Sequence, residues 1–561
     1  MFVILFCFLV SSFIFIILGK SFIIRFDNVK QENYSFFDSF FIGICIAGSL
    51  LNIWSLALPT NYASLLFLFF LSTLLLYINF KPLKKEFLDH VKWFYSEKKF
   101  FYLIIISLFL VLMYALVLPR NFDTYLYHIN AIQWNEMYSV VPGLANFHNR
   151  FGLNSSVMTL SAGFSFISIY DQYIFIISSL PFFVFFVWLL KYIYFQKGAI
   201  GLFSLFFIYF FFLQYGSDIS SPGTDLLPNI FVAFVLLSLI FDPKTIEKKQ
   251  YVFVVIPFYC ITLKLSVFPL LIIGILAFFK NNNALLLSTK KIIALGSLII
   301  LPWIIRNVIL SGYVLYPIEY LDFFNFNWEV PKDNVIEIKN WIYSWGRIPM
   351  KDYHDVLKLS FLEWFPVWWN AALFRNQVFI TLAAFAPLNY VVFYLLNKKA
   401  NHFIIFLTVL ITYLSFLLWL FTAPDIRFSF SFILILALFP ILIFKDFYNK
   451  LKIFFNPSLI ILLFLTLFLI GKDGYKLFRE DYHSFKNISK YAYLPNDVYY
   501  EKQKRNVEFL KKVYLTPNNN KIDLFCPKIT NTQCFDKFPC APRLDNSFSL
   551  RGEELQEGFV P

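Results

Sequence analysis

Apolar runs of roughly bilayer length recur along this chain, and nearly every one ends in a cluster of charge, proline or glycine. A hydrocarbon core about 30 Å thick takes ~20 apolar residues wound as a helix. The runs fall near residues 1–18, 37–58, 63–79, 101–118, 172–194, 199–215, 227–241, 251–263, 266–279, 292–309, 378–396, 403–421, 428–444 and 454–470, which predicts about fourteen helices. Several are short, and the two half-length runs that meet at Lys264 read as a broken or tilted pair. Charged residues make up only 15% of the chain, against about a quarter in soluble domains. The expected fold class is therefore all-α integral membrane, a multi-helix transmembrane bundle.

The first run lacks both a basic leader and a small-residue cleavage site, so it reads as a transmembrane helix with its N-terminus outside. The net charge of +13 does not point to nucleic acid, because the basic residues sit in short loops, where they set topology. One set of loops carries Lys20, Arg25 and Lys30, then Lys81, Lys84, Lys85, Lys92, Lys98 and Lys99. The same set carries Lys244, Lys248, Lys249, Lys280, Lys290, Lys291, Lys398, Lys399, Lys445, Lys450 and Lys452. The opposite short loops near Pro59 and Ser220 have no Lys or Arg. The basic side is expected to be cytoplasmic. The 76 Phe are read as a compositional bias spread over lipid-facing helices rather than as a stacking surface.

Three long polar regions then face outward: 119–171, 310–377 and 471–561. A simple channel or transporter needs no such mass, whereas an enzyme at the outer surface does. The first opens directly after a helix as Pro119-Arg120-Asn121-Phe122-Asp123-Thr124-Tyr125-Leu126-Tyr127-His128 and continues into an amphipathic helix expected to lie along the interface. Asp123 sits at head-group depth, where it can act as general base or cap the next helix. The second motif, Pro302-Trp303-Ile304-Ile305-Arg306-Asn307 with Gly312 and Tyr316-Pro317, places Arg306 at a helix end, to bind phosphate or to snorkel. The third, Thr422-Ala423-Pro424-Asp425-Ile426-Arg427-Phe428, puts a lone cation in an outer turn, free for an anion or paired with Asp425.

Together the three motifs resemble the GT-C superfamily of polytopic glycosyltransferases, whose members include protein O-mannosyltransferases and lipid A aminoarabinose transferases. Such proteins carry an acidic residue in the first outer loop, the position of Asp123. The resemblance covers roughly residues 101–470 and implies a GT-C-like core there, with residues 1–100 as additional helices and 471–561 as an extracytoplasmic tail. It implies an inverting transfer from a polyprenyl-phosphate-linked sugar to a glycan, lipid or protein acceptor, for cell envelope polysaccharide, at a bacterial inner membrane. Asp123 is the implied base, and Arg306, Arg427, Arg150 and His128 the implied donor-phosphate ligands. The sequence departs from the family in having Thr124 rather than a second acidic residue after Asp123. No cofactor is expected, and divalent-metal dependence stays open.

Asp218 and Asp225 flank an outer turn, where they can touch sugar or cap a helix, and Lys264 can meet phosphate or snorkel. The Trp341–Trp345 and Trp364–Trp369 stretches are read as bilayer-surface anchors outside the site. In the tail, Cys534 and Cys540 can bridge if the chain turns at Phe538-Pro539, leaving Cys526 over, and no cysteine spacing resembles a zinc site. The other readings are a carrier or flippase for lipid-linked sugars and a polysaccharide polymerase.

Overall fold

The computed structural model describes residues 1–279, 285–397, 402–445, 448, 452–481, 510–515, 522–529, 532–544 and 548–561. The chain is an all-α membrane protein. Among the described residues nine helices are long and apolar enough to cross a bilayer, or up to eleven if each of two bent pairs is one span. These do not show the expected count of about fourteen, and helices such as Leu226–Phe241 and Gln250–Leu263 are apolar but shorter than a full span. All sixteen residues of Leu226–Phe241 are buried, so this helix is solvated by other helices rather than by lipid.

The first two helices, Phe2–Phe26 and Phe36–Trp54, cross backbone to backbone. A Cβ on Gly19 would lie 1.8 Å from the Ser39 carbonyl oxygen, and one on Gly43 would lie 1.7 Å from that of Phe15. Small residues at such crossings let helices approach without a hydrophobic driving force. Phe15 then packs edge-on against Phe40 at 5.6 Å and against Phe164 at 4.9 Å. Residues 1–100 thus feed the same core as the later helices. Phenylalanine is not confined to the lipid face either, since Phe15, Phe40, Phe41, Phe182 and Phe185 are fully buried.

Tyr62–Ile78 runs into Phe80–Ser96 through a 92° bend, and the second helix carries Lys81, Lys84, Lys85 and Lys92 at its surface. Lys20 pairs with Glu86 at 2.8 Å, Lys249 with Asp38 at 2.7 Å, and Lys30 donates to the Glu247 carbonyl at 2.8 Å. These contacts gather the basic loops at one end of the bundle. Lys280, Lys398, Lys399 and Lys450 lie outside the described residues.

Described parts of the three long polar regions pack on one another. In the first, the Ile129–Met137 helix is not a surface helix: Ile132 and Trp134 are buried between the Ser156–Gly163 helix and the tail. Its outer face is covered because the tail, too small for a core of its own, completes one on Trp134. Phe538 and Phe559 pack edge-on against that indole at 4.9 and 5.9 Å. The last long helix also runs past the expected boundary at residue 470, to Asp481, where Glu480 pairs with Arg120 at 2.7 Å. Beyond it, Leu510–Leu515 and Ile522–Pro527 form an antiparallel hairpin, and Ser549–Leu550 pairs with Phe559–Val560. Cys534 and Cys540 are bridged, with Cα atoms 5.8 Å apart, and Cys526 is free and buried.

Glu136 of this first region accepts from Ser165 Oγ at 2.5 Å and Tyr173 Oη at 3.0 Å. Burial pushes its carboxyl from 4.5 up to about 7, against the pull of those two hydrogen bonds. The folded chain therefore holds this proton to higher pH than the unfolded chain, and stability falls as pH rises from about 4.5 through about 7. The loss is at most about 3 kcal/mol and complete above that window. Glu136→Gln is expected to flatten the melting temperature between pH 5 and 8, as thermal unfolding at stepped pH would show.

Candidate functional site

The polar loops enclose a cavity of about 1610 Å³. Asp123, His128, Arg150, Asp218, Asp225, Lys264, Arg306 and Arg427 all line it, although they come from segments spread over three hundred residues.

Asp123 stands at the start of the Thr124–His128 turn but makes no capping hydrogen bond. Asn121 does that work: its Oδ1 accepts from the Asp123 N–H at 3.0 Å, while its Nδ2 donates to Asp218 at 3.0 Å. The Asp123 carboxylate instead faces two guanidiniums. Arg150 Nη1 lies 3.3 Å from one oxygen and Arg427 Nη1 3.8 Å from the other. The Arg150 guanidinium rests over the Tyr127 ring at 5.1 Å, which fixes it in the wall.

Arg427 is held from both ends. Its Nε and Nη2 fork onto Asp425 at 2.9 to 3.2 Å, and Asp425 also caps the helix by accepting from the Arg427 N–H at 3.0 Å. The Ile426–Leu438 helix is broken at Ser429, whose φ of −140° and ψ of 24° leave the helical region. That break frees backbone groups, and Asn229 and Tyr215 take them up. Asn229 Oδ1 accepts from the Ser431 N–H at 2.9 Å; Asn229 Nδ2 and Tyr215 Oη donate to the Arg427 carbonyl at 3.2 and 2.8 Å. The detached turn Asp425–Phe428 is thereby pinned to two buried helices. Behind it, Trp368 Nε1 donates to the Pro424 carbonyl at 3.0 Å and Trp419 Nε1 to that of Asp425 at 2.6 Å. Trp368 is thus a buried support of the site turn rather than a bilayer anchor, and the buried Trp364 packs edge-on against it at 6.2 Å, because the Phe361–Ala371 helix turns that face inward.

Lys264 sits where the chain breaks between Gln250–Leu263 and the tight turn Leu265–Leu270. It forms an ion pair with Asp225 and lies 3.8 Å above the Phe428 ring, while Arg427 approaches the same ring at 5.8 Å. Asp225 occupies the N-cap position of the Leu226–Phe241 helix, but its side chain makes no capping hydrogen bond there. Arg150, Lys264 and Arg427 thus each lean on a carboxylate that an incoming anion can displace.

Two sequence-read residues take different roles from those expected. Arg306 is buried, and its Nε, Nη1 and Nη2 donate to Asn154 Oδ1 at 3.1 Å, Ser55 Oγ at 2.5 Å and Asn135 Oδ1 at 2.9 Å. It ties three segments together, so its fork is already occupied. Burial drives the His128 imidazole down to about 4, against the attraction of Asp123 and Asp225. At neutral pH it is uncharged, with neither ring nitrogen hydrogen-bonded to a described residue, rather than a cation for phosphate. His148, also on the cavity wall, falls to about 3 by burial and by the nearby Arg150. Asn121, Tyr215 and Asn229 were not read from the sequence. An amide inside the apolar run 227–241 was the available signal for Asn229, since unpaired polar groups are costly there.

Among the described residues no group of three or more His, Cys, Asp or Glu is arranged to hold a metal ion. Residues 1–434 match a domain of unknown function, DUF8201, and the chain belongs to that family. The match starts at the first residue and takes in every site side chain named above. No curated protein and no solved structure matches the chain.

Proposed function

We propose that this member of the DUF8201 family is a glycosyltransferase of the GT-C kind, which moves a sugar from a polyprenyl-phosphate donor to an acceptor hydroxyl. The observation that carries this reading is the Asp123 carboxylate, uncommitted to capping, on a cavity wall between two guanidiniums. In a single displacement the acceptor oxygen attacks the anomeric carbon and Asp123 takes its proton. The bond from that carbon to the phosphate oxygen breaks with inversion, and the phosphate leaves with the electron pair. Arg150, Arg427 and Lys264 are placed to meet the charge that develops there. Phe268, Leu271 and Leu418 give the cavity an apolar wall suited to a polyprenyl chain. The displacement as written draws on no cofactor.

The basic end of the bundle is assigned to the cytoplasm by the positive-inside rule. The site and tail then face the outside of a plasma membrane, where an acceptor of the cell envelope would be met. The test is the lipid that stays with the purified protein, identified by mass spectrometry, followed by transfer of labelled sugar from it. Polyprenyl phosphate or its monosaccharide derivative is the expected finding. A lipid-linked oligosaccharide, with no transfer of single sugars, would overturn the reading in favour of polymerisation or flipping.

A further inference from the structure

The Trp341–Trp345 stretch, read from sequence as a bilayer-surface anchor, belongs to the helix Lys332–Arg347 of the second polar region. It lies along the cavity instead. Asn334, Glu337, Ile338, Trp341, Ile342 and Trp345 recur at helical spacing, and all six line the cavity. Trp341 and Trp345 keep 36% and 38% of their surface exposed, so their rings are available to a ligand. Trp341 is braced, its Nε1 3.4 Å from Glu337 Oε1 and its ring edge-on to Tyr353 at 5.3 Å. The C-terminal end of the helix is pressed against the reacting cluster, because a Cβ on Gly346 would come within 2.7 to 2.9 Å of the Ala423 and Pro424 backbone. From Trp345 the stripe runs outward over about 16 Å to Asn334, at ~1.5 Å per residue.

A stripe that alternates flat indoles with a carboxylate and an amide fits one ligand chemistry well. Sugar rings present C–H faces to an aromatic surface and hydroxyls to polar side chains on either hand. A lipid tail would strand Glu337 and Asn334 without water, at the cost of burying unpaired polar groups. An extended peptide is bound chiefly through its backbone, and a helix offers no edge to pair with it. We propose that this stripe is the acceptor platform and that the acceptor is a saccharide chain laid along it, ending at Asp123. The identity of the acceptor rests on the transferase reading, but the saccharide site itself does not.

The test is a binding measurement without donor. The probe is a reducing-end-labelled oligosaccharide ladder, made by partial hydrolysis of the host cell's surface polysaccharide. Binding to the full-length protein in nanodiscs is read by fluorescence anisotropy. The wild type is expected to bind, more tightly as the chain lengthens. Trp341→Ala should weaken binding roughly tenfold, Glu337→Gln less, and Trp341→Phe by under about threefold, since a ring is kept. Binding of polyprenyl phosphate to the same preparations should not change, which also shows that the variants are folded. The proposal is overturned if the wild type does not bind the ladder, if Trp341→Ala binds it normally, or if Trp341→Ala loses polyprenyl phosphate instead. Saccharide binding without any sugar transfer would remove the transferase reading and leave the platform standing. Transfer that is indifferent to Trp341 would do the reverse.

Discussion

Asp123→Asn is expected to lower sugar transfer by on the order of 10²–10⁴-fold while leaving the protein folded. The amide matches the carboxylate in size and still accepts from Arg150, whose Nη1 lies 3.3 Å away. The pair is partly exposed, at 37% for Arg150 and 28% for Asp123, so weakening it should cost about 1 kcal/mol or less. What the amide cannot do is take the acceptor's proton. Asn121→Ala is the informative companion, because Asn121 caps the turn and hydrogen-bonds Asp218. It should cost about 1 kcal/mol or somewhat more in stability and only a modest part of the rate. The measurement is initial-rate transfer by purified protein of matched melting temperature. Transfer by Asp123→Asn within a few-fold of wild type would remove Asp123 as base.

Arg306→Ala and Arg427→Ala should fail in different ways, although both arginines line the same cavity. Arg306 donates to three neutral acceptors on three segments, and its removal leaves Asn154 Oδ1 and Ser55 Oγ buried, and Asn135 Oδ1 half-buried, without that donor. Hydrogen bonds to a charged group are worth about 1.5–3 kcal/mol each, offset here by release of a desolvated cation, so a net loss of about 3 kcal/mol is expected. The fraction that folds should transfer sugar with an almost normal donor KM. Arg427→Ala removes a cation beside the departing phosphate, for which a loss of about 10²–10³ in kcat is expected. Arg427→Lys keeps the charge but not the fork onto Asp425, and should fall between. Melting curves together with donor titrations separate the two cases. A stable Arg306→Ala protein with a sharply raised donor KM would return Arg306 to the phosphate.

What could be read before any coordinates were those features that depend on neighbours in the chain. Apolar length reports a membrane helix because each helix must satisfy its own backbone in lipid, and the broken pair at Lys264 showed as two runs too short to span. Asp123, Arg427 and their companions were visible as charges at helix ends, all on the side poor in cations. Their roles were not visible, because a role depends on what fills the space beside a side chain. Arg306 and Arg427 look alike in sequence, each a guanidinium at the end of an apolar run. Only packing commits one to Asn154, Ser55 and Asn135 and sets the other between Asp425 and Asp123. The same holds for Asp123, whose place at the start of a helical turn does not tell that Asn121, and not Asp123, supplies the capping hydrogen bond. Trp341 and Trp345 read as membrane anchors by composition, and it is the contact of Gly346 with the 423–424 backbone that turns them to the cavity. The sequence determined which segments enter the membrane and which residues gather at one end of the bundle, since hydrophobicity and helical period are local properties. The tertiary structure decided which of those residues are spent on holding the fold and which remain for a ligand, since that depends on contacts between segments hundreds of residues apart.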